Sequence, residues 1–311
     1  MFAEKNDPND PNDLNDLNDL NDLNDPNDLN DPNDPNDPND LNNMPTISEI
    51  WIYPIKSLGG ISLQEAVAER RGFKYDRRWM LVDETGRFVT QREIPKMALL
   101  GTAIEPPFLS VFLKSNPSEK VNIPLDIEPA EFQKLQVQVW GDKCAARVLP
   151  DEINQWFSNH LGQNLRLVFM PDTTRRRADG RYGPPGHHVS FADGFPYLII
   201  GQASLDELNG RLAQPLPMNR FRPNFVFTGG EAFEEDKWEV FTINNQPFQG
   251  VKPCDRCIIT TTDQDTAVRA AEPLKTLATF RKFGNRILFG QNVLWLGKEE
   301  SVVHVGDVIS L

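Results

Sequence analysis

Cysteine is scarce in this 311-residue chain, at three, and histidine is little commoner, at four. Three thiols cannot make a disulfide framework. His160, His187, His188 and His304 have no paired spacing that would complete a zinc site with the cysteines. No apolar run reaches the roughly 20 residues that a membrane-spanning helix needs, and the first residues lack the basic-then-apolar order of a signal peptide. Neither Gly59-Gly60 nor Gly229-Gly230 has the spacing of a dinucleotide fingerprint. The absences point to a reducing, cytoplasmic setting with no membrane, and they argue against a nicotinamide-binding unit.

Basic residues are outnumbered as well, 32 against 45 acidic ones, for a net charge of −13. The deficit is local. Residues 6–42 repeat Asn-Asp-Pro or Asn-Asp-Leu, and residues 1–43 hold twelve Asp, one Glu and one Lys, a net of −12 that leaves about −1 for the remainder. The low pI therefore describes the repeat rather than the rest of the chain. A repeat with an isolated Leu, frequent Pro and a carboxylate in each unit cannot bury enough to offset its ordering entropy, so residues 1–43 are expected to be disordered. No basic face for nucleic acid stands out in the rest.

Residues 44–311 are rich in strand signals. Segments 50–53, 61–68, 79–82, 88–90, 109–113, 135–140 and 145–149 are β-prone pieces between turn residues, with Asp-Glu-Thr-Gly at 83–86 closing a hairpin. Residues 46–150 read as a β-domain. A helix follows, with Asp151 as N-cap, Ile153, Trp156, Phe157 and Leu161 on one stripe and Gly162 as its stop, placed to bridge the two halves. A second helix carries a capping box, Ser204 with Glu207, and a third begins at Pro273. Strands are expected at 165–169, 225–227, 238–243, 288–289 and 302–311. The fold class is α+β, dominated by sheet. The long connection 171–196, with Arg175, Arg176, Arg177, His187 and His188, reads as a solvated loop.

The segment Lys252-Pro-Cys254-Asp-Arg256-Cys257-Ile-Ile-Thr260-Thr carries the most chemistry. It sets two thiols beside two cations in a turn expected to enter an apolar strand, where the cations would lower a thiol pKa. By itself the pair fits two ordinary cysteines, half a zinc site or a redox dithiol.

Seven ordered motifs resemble one family. They are 50–57 (ending Lys56-Ser57), Tyr75-Asp-Arg77-Arg78-Trp79, Asn219-Arg220-Phe-Arg222-Pro-Asn224, Cys254-Asp-Arg256-Cys257 with Thr260, Glu272-Pro, Phe289-Gly-Gln-Asn292 and Val305-Gly-Asp307. In this order they are similar to MOSC proteins with a MOSC N-terminal β-barrel, the mitochondrial amidoxime-reducing component and its bacterial homologues among them. The resemblance implies two units, 46–165 as a MOSC N-terminal β-barrel-like domain and 166–311 as a MOSC β-barrel domain with a few helices. It implies molybdenum cofactor, molybdopterin with Mo, held by the thiolate of Cys257, a soft ligand suited to that metal. Lys56, Ser57, Arg77 and Arg222 fall on positions that hold pterin and phosphate, where Arg forks and a Lys point charge suit an anion. Asn224, Asp255, Arg256 and Thr260 are further members, and Asp193 is a substrate-side group.

The activity so implied is reduction of N-oxygenated substrates such as amidoximes, hydroxylamines and N-oxides. Only Cys254 and Cys144 would remain beside Cys257, too few for an iron–sulfur cluster, so electrons are expected from a separate carrier, cytochrome b5-like, flavoprotein or ferredoxin, and its reductase. The alternative is a cofactor carrier or sulfur-transfer module, since MOSC domains are also found in cofactor sulfurases. A metal-free dithiol protein is a third reading. Deleting residues 1–43 should leave the melting temperature unchanged, as checked by calorimetry of the truncated and full chains.

Overall fold

In the computed structural model, which describes residues 44–182 and 186–311, the Thr46–Ile52 strand is the centre of the argument. Its alternation turns Ile47, Ile50 and Ile52 inward, with a bulge between Ile47 and Glu49 that corrects the phase. It pairs with Phe225–Thr228 on one side and Ile61–Leu63 on the other. The first strand of the described chain is thus part of a sheet made mostly of residues beyond 197.

That sheet has nine strands. From one edge it runs Ile309–Ser310, Val240–Ile243, Gln246–Asp255, Arg286–Trp295, Tyr197–Gly201, Phe225–Thr228, Thr46–Ile52 and Ile61–Leu63, with Lys282–Phe283 paired beside it. Its core is aromatic: Phe73, Tyr197, Phe225 and Phe248 meet edge to face or stacked, with ring centroids 4.9 to 5.9 Å apart. A four-stranded sheet orders Trp79–Val82, Arg166–Phe169, Asp142–Val148 and Lys134–Val139, and two three-stranded sheets complete the strands. Glu65–Glu69 pairs with Ser301–His304, so segments distant in sequence interleave. The fold is sheet-dominated α+β, with three α-helices among the described residues. No helix there is long and apolar enough to cross a membrane. The repeat at 6–42 lies outside the described residues.

Several local expectations shift. The first helix, Asp151–Leu161, is capped by Pro150, and Asp151 sits in the first turn, where its charge still suits the dipole. Gly162 closes it at φ 71°. Ile153, Phe157 and Leu161 pack with Ile55, Trp79, Leu81 and Leu109, so the helix completes the core of the first half rather than bridging two halves. The Gln202–Asn209 helix starts two residues before Ser204. Ser204 therefore caps nothing; its hydroxyl donates to the buried Glu235, and Glu207 pairs with Arg211 instead. The strand expected from 238 starts at Val240, because Glu234–Lys237 turn as a 3-10 helix.

Glu235 has no exposed surface, and burial pushes its carboxyl up to about 7 although Ser204 opposes the shift. The folded state thus holds a proton that the unfolded chain releases above its ordinary 4.5. This group's contribution is present below that pH and is lost as pH rises toward 7. Glu235→Gln should flatten the fall in melting temperature between pH 4.5 and 7, read by thermal scans across that window.

Candidate cofactor site

Five neighbouring strands of the large sheet are joined in one row beside the site. Lys252 pairs with Asn292, Asn292 with Leu198, and Leu198 accepts a hydrogen bond from the backbone of Asn224, whose carbonyl in turn accepts from Trp51. The turns beyond this row meet over a cleft of about 790 Å³, solvent at the mouth included. All ten residues singled out from sequence line it: Lys56, Ser57, Arg77, Asp193, Arg222, Asn224, Asp255, Arg256, Cys257 and Thr260.

Ser57, Arg77 and Arg222 adopt φ of 69°, 49° and 55°, a region that costs a non-glycine residue about 1 kcal/mol or more. The surrounding contacts hold them there. Arg77 Nη1 donates to both oxygens of Asp76, at 2.8 and 2.6 Å, and to Asn224 Oδ1 at 3.1 Å. Asp76 is fully buried, which raises its carboxyl pKa against the pull of Arg77. Two guanidiniums lie over the Tyr53 ring, that of Arg77 at 4.3 Å and that of Arg222 at 4.2 Å from its centroid. Burial lifts the Tyr53 hydroxyl to about 12 despite both cations and lowers Arg222 to about 10, so Arg222 remains charged at neutral pH.

Lys56 Nζ donates to Asp193 Oδ1 at 2.6 Å and to the Phe191 carbonyl at 2.7 Å, and burial lowers its pKa to about 8 while Asp193 opposes. Asp193 keeps 60 % of its side chain open to the cleft. Crowding by protein atoms pushes its carboxyl up, but Lys56, Arg92 and the Trp140 indole outweigh that and hold it well below the usual carboxylate range. The loop carrying Asp193 is clamped by Arg176, which donates to the carbonyls of Ser190, Ala192 and Asp193 and to Asp142. Arg176 is buried, so one member of the arginine run expected to be solvated is a structural brace.

The cysteine segment ends the Gln246–Asp255 strand and enters the 3-10 turn Ile258–Thr261, rather than an apolar strand as expected. Register shifts at Gly250/Lys252 and Pro253/Asp255 bend it over the cleft. Arg256 Nη1 donates to Cys254 Sγ at 3.2 Å, yet burial raises the Cys254 thiol, contrary to the lowered pKa expected there. Arg92 Nη2 donates to Cys257 Sγ at 3.0 Å. Thr260 caps the turn by donating to the Cys257 carbonyl, and Asp255 faces Lys252 and Arg286. Arg92 and Asn292 also line the cleft and were not singled out as site residues. Asn292 lies in a recognised motif, whereas nothing in the sequence around Arg92 marks it.

Five cations and two carboxylates therefore line one cleft. Arg92 Nη1, Arg222 Nη2 and Arg256 Nε are buried and have no hydrogen-bond partner among the described residues. Buried donors are normally satisfied, so the arrangement suits a ligand rich in anionic acceptors that also meets a thiol. Among the described residues no group of three or more His, Cys, Asp and Glu side chains is set to hold a metal ion.

Residues 44–164 match the MOSC N-terminal beta barrel domain and residues 186–310 the MOSC domain. Mitochondrial amidoxime reducing component 2 of Bos taurus is 36% identical over 246 residues, 76% of this chain and 72% of the relative. The chain belongs to the MOSC family. Mitochondrial amidoxime-reducing component 1 of Mus musculus is 31% identical over 283 residues, covering 86% of this chain and 82% of its own length. Molybdenum cofactor sulfurase of Arabidopsis thaliana is 30% identical over 285 residues, 82% of this chain but 35% of the sulfurase. The two matched MOSC segments share sheets, since Thr46–Ile52 pairs with Phe225–Thr228.

If the unpaired Arg222 donor awaits an anion, inorganic phosphate at constant ionic strength should raise the melting temperature of the ligand-free chain. About 2–4 °C is expected, the shift that 1 kcal/mol produces in a protein of this size. Arg222→Met should melt higher than the parent in chloride, because a costly buried charge is gone, and should lose most of the phosphate response. Thermal scans in the two salts measure both.

Proposed function

We propose that this MOSC protein binds molybdenum cofactor through Cys257 and reduces N-oxygenated compounds such as amidoximes, hydroxylamines or N-oxides. The observation that carries the reading is the combination at the cleft of a sulfur held by Arg92 and three guanidiniums with unpartnered buried donors. These residues fit the group. A pterin phosphate offers the acceptors that Arg222 and Arg256 lack, and thiolate is the soft donor that molybdenum with dithiolene sulfur prefers.

The cofactor, when bound, would supply the redox and oxygen-transfer chemistry. The chain's own part is electrostatic and geometric. Lys56, Arg77 and Arg222 would neutralise the phosphate, with Ser57, Asn224, Asp255, Arg256 and Thr260 shaping its seat. Arg92 would hold the Cys257 sulfur in one orientation, much as outer partners orient metal ligands elsewhere. Reducing an amidoxime to amidine and water takes up two electrons and two protons. Lys56 Nζ, lowered by burial to about 8, donates to Asp193 at the substrate side. Electrons would come from a separate carrier, cytochrome b5-like, flavoprotein or ferredoxin, with its reductase. The sulfurase relative supports a second reading, a cofactor carrier without turnover of its own.

Cys257→Ser, made in a host that synthesises the cofactor, should lose bound molybdenum and benzamidoxime reduction together. Cys254→Ser should keep much of both. Metal analysis and turnover with a supplied electron carrier test this. Equal loss in the two variants with the fold intact would favour a dithiol, and full molybdenum without turnover in the parent would favour the carrier.

A further inference from the structure

Beside the cleft runs an open groove that the reading above leaves without a role. Arg87, Phe88, Arg92, Glu93, Gln138 and Trp140 line it. Arg92 belongs to both walls, and its guanidinium meets Cys257 Sγ on the cleft side.

Trp140 is the unusual member. It is 44% exposed and adopts φ 54°, a conformation that strains an indole-bearing residue. Four contacts keep it there: its carbonyl accepts from Gln138 Nε2 at 2.9 Å, its Nε1 donates to Asp193 Oδ1 at 3.1 Å, the Phe88 ring lies 5.0 Å away, and the Arg92 guanidinium lies 4.6 Å from its ring. An exposed aromatic surface held this firmly has little freedom left to lose when a flat partner packs on it. Arg92 Nη1 is buried and lacks an acceptor. The groove thus sets a fixed aromatic surface beside a guanidinium that meets the thiol and has one donor unmatched.

We propose that this groove is the substrate subsite and selects planar aromatic N-oxygenated compounds, the ring packing on Trp140 and the oxygen on nitrogen accepting from Arg92. The proposal rests on the reductase reading for its reaction, but the groove's affinity is a separate property.

The test compares benzamidoxime with acetamidoxime, which share a head group and differ in the ring, on the cofactor-loaded full chain. Trp140→Ala should raise KM for benzamidoxime about five- to tenfold, the scale of one aromatic contact, and move that for acetamidoxime less than about twofold. Trp140→Phe, which keeps a ring but cannot donate to Asp193, should recover most of the loss. Pterin content measured alongside separates cofactor loss from substrate loss. Equal factors for the two substrates, or a Phe variant as impaired as Ala, would overturn the proposal and assign Trp140 to placing Asp193. If the parent reduces neither compound, the reductase reading fails, and the groove is then judged by saturation-transfer NMR with benzamidine. Loss of that signal in Trp140→Ala supports the subsite, and an unchanged signal removes it.

Discussion

Asp76 has no exposed surface, and Arg77 binds both of its oxygens in the interior. Removing one partner of such a pair costs about 3–5 kcal/mol, since the other charge is left stranded. The pair also sets geometry. Asp76 accepts from the backbone of Tyr53 at 2.7 Å, and Arg77 reaches Asn224 and the Arg222 carbonyl. One ion pair therefore joins the turn after the first strand to the segment before Phe225–Thr228, and the cleft between them has its shape from this join.

Among the cleft's cations Arg77 and Lys56 have carboxylate partners, whereas Arg222 has none within ion-pair distance among the described residues. Tyr53 offers its ring to both Arg77 and Arg222. The space that ring occupies is protected, because a Cβ on Gly60 would come 2.5 Å from Tyr53 Cε1. Unpaired buried donors and left-handed arginines lower stability, and the aromatic core of the large sheet offsets them. Local strain of this kind is tolerable only where surrounding structure over-determines it, and here it collects where an anionic ligand would lie.

The interleaved topology explains why a site with its thiol at residue 257 needs so much of the first half of the chain. Lys56, Arg77, Arg92 and Trp140 all come from segments before residue 150, while Asp193 and Arg222 come from the turns that precede two parallel strands, Tyr197–Gly201 and Phe225–Thr228. The four-stranded sheet presents Trp140 and, through the Trp79–Val82 strand, anchors the turn of Lys56, whose backbone donates to Trp79. Neither half holds the cleft alone.

Strand content, the helix stopped by Gly162 and the sheet-dominated class were legible in the sequence, because alternation, propensity and turn chemistry act over a few residues. The ten residues singled out from the sequence line one cleft; nine of them came from ordered motifs that resemble a family, and Asp193 from its place just before a strand, rather than from spacing. Boundaries that depend on tertiary partners were not: Ser204 looked like a cap until Glu235 met it inside the core, and Arg176 looked solvated until it clamped the Asp193 loop. The sequence by itself determined which residue types were available and where the chain could turn. Only the tertiary structure decided that Arg92 should reach the Cys257 sulfur across 165 positions and that Trp140 should be pinned to Asp193. The reason is that such contacts are set by sheet register and strand order, which sum many weak pairings along the whole chain and leave no mark at the residues they bring together.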